Sequence, residues 1–114
     1  MKLPKAARVR RRREFLAVQE RGARVYAGEV LVLCREGGAG RARIGITVSS
    51  KVANAVERNR VKRWVREAFR EIQAELPPVD LVVIARAGAL GMGLAGARRA
   101  LASARDRLAA ARRP

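Results

Sequence analysis

The sequence predicts an α+β sandwich, a single sheet with helices packed against it. Three observations carry this. Two long segments space apolar residues three and four apart, as amphipathic helices do. Other segments alternate apolar and polar residues, or run continuously apolar over strand lengths. Turn residues punctuate the chain in the order helix, two or three strands, helix, strand, helix. With 114 residues and neither an internal repeat nor a linker, one domain over residues 1–114 is expected. It begins with a basic, partly irregular arm over residues 1–11.

Residues Met1 to Arg13 carry seven basic side chains ahead of the first acid, Glu14. Such a run is either a solvated tail or an arm laid on phosphate, and the overall charge favours the arm. A short helix is predicted from about Arg12 to Arg21, with Phe15, Leu16 and Val18 as its apolar contacts and Gly22 as a left-handed cap. Glu29 to Cys34 is rich in Val and Leu and predicts a strand. The glycines of Glu36–Gly40 form a turn. From Arg43 to Ser49, Ile44, Ile46 and Val48 alternate with Arg43, Gly45, Thr47 and Ser49. That period of two predicts a second strand, antiparallel to the first across the turn.

The best helix is predicted from about Ala55 to Leu76. Asn54 is its N-cap, Glu57 completes a capping box, and Pro77-Pro78 forbids continuation. Asp80 to Arg86 is a buried strand by its apolar run. The glycine-rich segment Gly88 to Gly96 lacks a phosphate-loop pattern and reads as a connection. The last helix repeats Leu94, Ala97, Leu101, Ala104, Leu108 and Ala111 along one stripe, a packing face rather than a coiled-coil seam.

Charge narrows the function. There are 26 Lys+Arg against 10 Asp+Glu, a net +16 with a pI near 11.8. A compact chain so charged repels itself, and a polyanionic partner relieves that repulsion. All but Lys2, Lys5, Lys51 and Lys62 of the cations are arginine. Arginine's planar fork fits phosphate and stacks on bases, although a GC-rich genome gives the same bias. Histidine is absent, which removes the commonest general base and metal ligand. One cysteine, Cys34, excludes the usual zinc sets and an internal disulfide. It reads as a core residue in a reducing cytosol. No stretch reaches the roughly 20 apolar residues of a membrane span, and the basic start lacks the apolar run of a secretory signal. A soluble cytoplasmic protein is expected.

The informative segment is Arg58-Asn-Arg-Val-Lys-Arg-Trp-Val-Arg66. At 100° per residue, Val61, Trp64, Val65, Ala68, Phe69, Ile72 and Leu76 share one arc. Asn59, Lys62, Arg63, Arg66 and Arg70 share the opposite arc. Glu57, Glu67, Glu71 and Glu75 lie along the side. Charged outer faces are ordinary, but this one is nearly one-signed, whereas a bland surface helix interleaves both signs. Arg58 and Arg60 also sit in the N-terminal turn, where the macrodipole disfavours cations. Both features point to an external anion. Asn59 adds a donor and acceptor for a base edge or a 2′-hydroxyl.

NAVERNRVKRWVREAFR, Asn54 to Arg70, resembles the "RNR" signature of the bacterial ribonuclease P protein component. The preceding Arg43-Ile-Gly-Ile-Thr-Val-Ser-Ser-Lys51 is similar to that family's strand leading into the helix. Phe15…Val18…Gly22 and DLVVIAR fall in family order, so the resemblance covers roughly Arg8 to Arg86. It implies an αβββαβα fold with a four-stranded mixed sheet and a left-handed βαβ crossover, of the ribosomal-protein-like domain 2 type. It also implies a function: binding the catalytic RNA and the single-stranded 5′ leader of precursor tRNA, so that the leader is removed by hydrolysis. The RNA would do the chemistry with Mg²⁺ that it holds itself. Matched residue by residue, Arg58, Asn59, Arg60, Lys62, Arg63 and Arg66 would face RNA, with Lys51 nearby and Arg70 along the same stripe. Phe15, Arg12 and Val32 would belong to the leader cleft. The protein alone would be inactive, and monomeric outside the complex. The chain departs from the pattern at Gln19 and Leu33, where relatives often carry cleft aromatics, and at Ser50 and Ala53, where lysine and glycine are common.

Three other readings stand beside this one. A ribosomal or other structural RNA-binding protein explains the charge and size but not the RNR pattern. A stand-alone nuclease finds little in the residue inventory. A DNA-binding module lacks helix-turn-helix spacing before the basic helix.

Overall fold

The computed structural model describes residues 5–9, 12–37 and 40–111. Along the chain these form α1 (Arg12–Arg21), β1 (Ala23–Ala27), β2 (Val30–Glu36), β3 (Arg43–Thr47), α2 (Ala55–Ile72), β4 (Val79–Ala85) and α3 (Gly93–Ala111). Short 3₁₀ turns occupy Lys5–Ala7, Gln73–Glu75 and Ala87–Gly91. The four strands make one mixed sheet in the order β1-β2-β4-β3. β1 and β4 run antiparallel to β2, and β3 runs parallel to β4. The fold is the α+β sandwich expected.

One detail of strand pairing corrects the sequence reading. β2 and β3 do run in opposite directions, but they do not pair. Each is bonded instead to β4, which lies between them. The reason lies in β4 itself: six of its seven residues are buried. Only a central strand covers both faces of such a run and satisfies both of its hydrogen-bonding edges. β1 is the strand that residue patterning does not mark. It pairs with β2 through a two-residue turn in which Gly28 has φ +58, as primed hairpin turns require.

Gly22 is a second correction. It is not in the left-handed region. Its amide donates to the Val18 carbonyl at 2.8 Å, closing α1. A Cβ there would collide with that carbonyl and crowd the Cys34 backbone at 3.0 Å. Glycine is needed for close approach of helix to strand, not for its φ.

The sheet's two faces are covered unequally. On one face Val30, Val32 and Cys34 of β2, Ile44 of β3 and Leu81 and Val83 of β4 meet α2 and α3 through Val61, Val65, Phe69 and Leu101. On the other, Leu33 and Val82 meet Val18 of α1, with Phe15, Leu31 and Ile84 partly buried around them. The arm packs against the sheet where it is described. Ala7 and Val9 are buried, and the Val9 amide donates to the Ile44 carbonyl at 2.8 Å along the outer edge of β3. The rest of the arm, residues 1–4, 10 and 11, lies outside the described residues. Among those described, no helix is long and apolar enough to cross a membrane.

Candidate nucleic-acid interface

α2 begins on a complete capping box. The Asn54 side chain accepts from the Glu57 amide at 2.9 Å, and the Glu57 carboxylate accepts from the Asn54 amide at 3.0 Å. This satisfies two end groups and places a carboxylate where the macrodipole favours one. The helix can therefore carry Arg58 and Arg60 in its first turns. Arg58 also donates to the Ala53 carbonyl at 2.9 Å, which anchors it against the turn holding the exposed Lys51. The inner face buries Val61, Val65, Ala68 and Phe69. Asn59, Arg60, Arg63 and Arg70 are exposed on the outer face, and Lys62 and Arg66 are half-buried beside them.

Two acids at the C-terminal end, Glu71 of the helix and Glu75 of the 3₁₀ turn that follows it, are paired with α3. Glu71 pairs with Arg98 of α3 at 2.8 Å, and Glu75 with Arg105 at 3.4 Å. Among the described residues, no ion pair involves Arg60, Lys62, Arg63, Arg66 or Arg70. The outer face is thus a one-signed stripe. Val56, 70% exposed, stands with Asn59, Arg60 and Arg63 around a shallow hollow and adds an apolar contact to it.

The stripe runs into a groove between α1 and α2, across β3. Arg66, Arg8 and Phe15 line it, with Gly45 as part of its floor. A Cβ on Gly45 would sit 2.5 Å from the end of the Phe15 ring, so glycine is what allows the ring to lie down on the strand. Burial, and then the charge of Arg8, hold the Arg66 guanidinium below its ordinary pKa. The Arg8 Nε is itself buried and, among the described residues, has no hydrogen-bond partner. Two crowded guanidiniums beside an aromatic ring suit an anionic, stackable ligand.

α1 is held over the sheet by Arg43. Its guanidinium donates to both Asp80 oxygens at 2.8 Å and to Glu14 of α1 at 2.8 Å. The hydrogen bond to Asp80 chiefly raises the Arg43 pKa, against the opposing effect of burial, and the bond to Glu14 adds to it. This three-way contact fixes the helix that carries Phe15.

Of the predicted site residues, Asn59, Arg60, Arg63 and Arg66 line one hollow, and Arg66 joins Phe15 in the groove; two others stand apart. Arg12 is exposed at the first residue of α1, a turn from Phe15. Val32 does not reach the cleft. It is 0% exposed and packs in the α2–α3 core, because strand side chains alternate and its neighbours Leu31 and Leu33 take the α1 face. Sequence reasoning does not single out Arg8, Gly45 or Arg43. The alternation of β3 already places Gly45 and Arg43 on the non-core side, whereas nothing but charge marks Arg8.

A one-signed helix stripe meeting an arginine–aromatic groove defines a nucleic-acid-binding α+β protein. The comparisons agree. The family model described as Ribonuclease P matches residues 3–109, and the chain belongs to that family. It is 44% identical over 86 residues to the ribonuclease P protein component of Shouchella clausii, covering 74% of this chain and 70% of that protein. It is 47% identical over 90 residues to that of Gluconacetobacter diazotrophicus, covering 76% and 78%. Among solved structures, the RNase P protein of Staphylococcus aureus is similar with a TM-score of 0.78 and 29% identity, over 94% of this chain and 95% of that one. That of Thermotoga maritima is similar at 0.78 and 34%, over 88% and 96%.

Proposed function

We propose that the α2 stripe seats this chain on the catalytic RNA of ribonuclease P, and that the groove between α1 and α2 takes the 5′ leader of precursor tRNA. The chain is a subunit of an endoribonuclease that matures tRNA 5′ ends. The single observation that carries the assignment of surfaces is the one-signed stripe, with the nearby Glu71 and Glu75 engaged by α3. Arg58, Arg60, Lys62, Arg63, Arg66 and Arg70 neutralise phosphates where two RNAs approach, and Lys51 extends the row. Asn59 offers a contact to a base or ribose. Phe15 stacks a leader base, with Arg66 and Arg8 on the neighbouring phosphates.

The reaction is hydrolysis of the phosphodiester at the leader junction, leaving a 5′-phosphate on the tRNA. Magnesium, which the RNA would hold, supplies the activated water and charge stabilisation. This chain's part is to bind, orient and neutralise. It acts as a monomer before assembly, in the cytoplasm where precursor tRNA is made.

The test is cleavage of precursor tRNA by its cognate ribonuclease P RNA at low magnesium, where protein cations replace part of the missing counter-charge. Strong stimulation by this protein, with no cleavage by protein alone, is expected. No stimulation by folded protein would overturn the proposal.

A further inference from the structure

The sheet has a second outer edge, which the surfaces above leave unused. β1 lies opposite β3 in the strand order, three strand spacings away, or roughly 14 Å at about 4.8 Å each. Tyr26 on β1 is 56% exposed. The guanidinium of Arg86 lies over its ring, 5.9 Å from the centroid. Arg86 is held there through its backbone amide, which donates to the Glu29 carbonyl at 2.9 Å.

Beside this stack opens a hollow of ≈ 540 Å³ between the β1–β2 turn, the Ala87–Gly91 turn and α3. Its floor is low because Gly88 and Gly96 form part of it. A Cβ on Gly88 would run into the Glu29 carboxylate, and one on Gly96 would meet Met92 at 2.6 Å. Arg99, Ser103 and Arg107 line its α3 wall. Spaced four apart, they share one helix face about 12 Å long. Arg99 and Arg107 are exposed and, among the described residues, in no ion pair, unlike Arg98 and Arg105 on the same helix. Two arginines, Arg99 and Arg107, share the hollow with one acid, Glu29.

We propose that this β1-edge surface binds a strand of single-stranded RNA, with a base stacked on Tyr26 and phosphates on Arg99 and Arg107. An exposed ring already capped by a guanidinium is a sequence-tolerant stacking platform. Two arginines a short distance away supply the anion contacts. Glu29 argues for a nucleotide over bare phosphate: its carboxylate repels a lone anion but accepts from a 2′-hydroxyl or an exocyclic amine. The strand has two sources in a ribonuclease P complex, the distal part of a long leader or an unpaired stretch of the catalytic RNA. Only that choice rests on the function proposed above.

The test begins with binding of a short oligoadenylate to the full chain. Tyr26→Ala leaves the charge unchanged, so attraction to the rest of the basic surface does not move. Affinity should fall at least about five-fold, the scale of one lost stack, and Tyr26→Phe should restore it. Arg99→Ala with Arg107→Ala should flatten the salt dependence. Unchanged affinity in Tyr26→Ala overturns the proposal. The source is then read in the reconstituted holoenzyme. If Tyr26→Ala removes only the advantage of long-leader over short-leader precursors, the strand is the leader. If it weakens assembly with the RNA, the strand belongs to the catalytic RNA. Failure of the functional reading would show separately, as no stimulation by the unmodified protein, and the oligoadenylate result does not depend on it.

Discussion

α2 and α3 are both rich in arginine, but their cations stand in different company. α3 turns Arg98 and Arg105 toward α2, where they meet Glu71 and Glu75. Those two acids, at the end of α2 and in the 3₁₀ turn after it, are taken up by α3, while Arg60, Arg63 and Arg70 stand exposed without a carboxylate partner among the described residues. Net charge does not separate the two helices: six cations against three acids on α2, and four against one on α3, leave each at +3. The placement of the acids does, since an arginine already bonded to carboxylate has little to offer a phosphate. An interface in a protein of net +16 is therefore marked by where negative charge has been removed.

The largest effect is expected from reversing the charge of the stripe. Arg60→Glu with Arg63→Glu should weaken binding to the catalytic RNA by about 100-fold at physiological salt, because two attractions to phosphate become two repulsions. Both side chains are exposed, so the thermal midpoint should stay close to that of the parent. Equilibrium binding and a melting curve check the two halves of this statement.

A smaller effect is expected at the foundation of the stripe. Asn54→Ala removes the capping box and should cost about 1 kcal/mol, read by denaturant unfolding. The first turn, with Arg58 and Arg60, should exchange its amides faster.

The smallest effect belongs to the α2–α3 seam. The Glu71 carboxyl is held below its ordinary pKa, chiefly by the hydrogen bond from Arg98, with burial opposing. A carboxyl depressed in the folded state stabilises above its unfolded pKa, and that stability is lost as the pH falls through the folded value. Arg98→Ala should therefore lower the melting temperature slightly at neutral pH. Variant and parent should converge as the solution is acidified below the carboxylate range. The change is small because both partners are exposed.

Much of this arrangement is legible in the sequence. α2 announces itself by an unbroken helical period and by Asn54 with Glu57, signals that lie within a few residues of one another. β4 shows its central burial through a continuous apolar run. What the sequence hides is non-local. The glycine turn after β2 looks like a hairpin, and nothing in it reveals that a strand more than thirty residues later will enter between its arms. β1 contributes only Val25 and Ala27 to the core, too little to stand out. Val32 is misplaced by the sequence reading because an apolar run masks which of its members face which side. The groove joining Arg66 to Phe15 and Arg8 needs three distant segments to meet, so only the fold could reveal it.

The central claim is that an arginine counts toward RNA binding only when its charge is unpaired. Two double variants test it with identical net charge, +14 after removal of two cations from +16: Arg63→Ala with Arg66→Ala, and Arg98→Ala with Arg105→Ala. The measurement is affinity for the catalytic RNA as a function of salt. The first pair should reduce the log–log slope by about 1.5, the share of two neutralised phosphates, while the second should leave it close to the parent value. Equal slopes for the two variants would mean that the protein binds RNA by total charge alone, and the stripe on α2 would lose its special role.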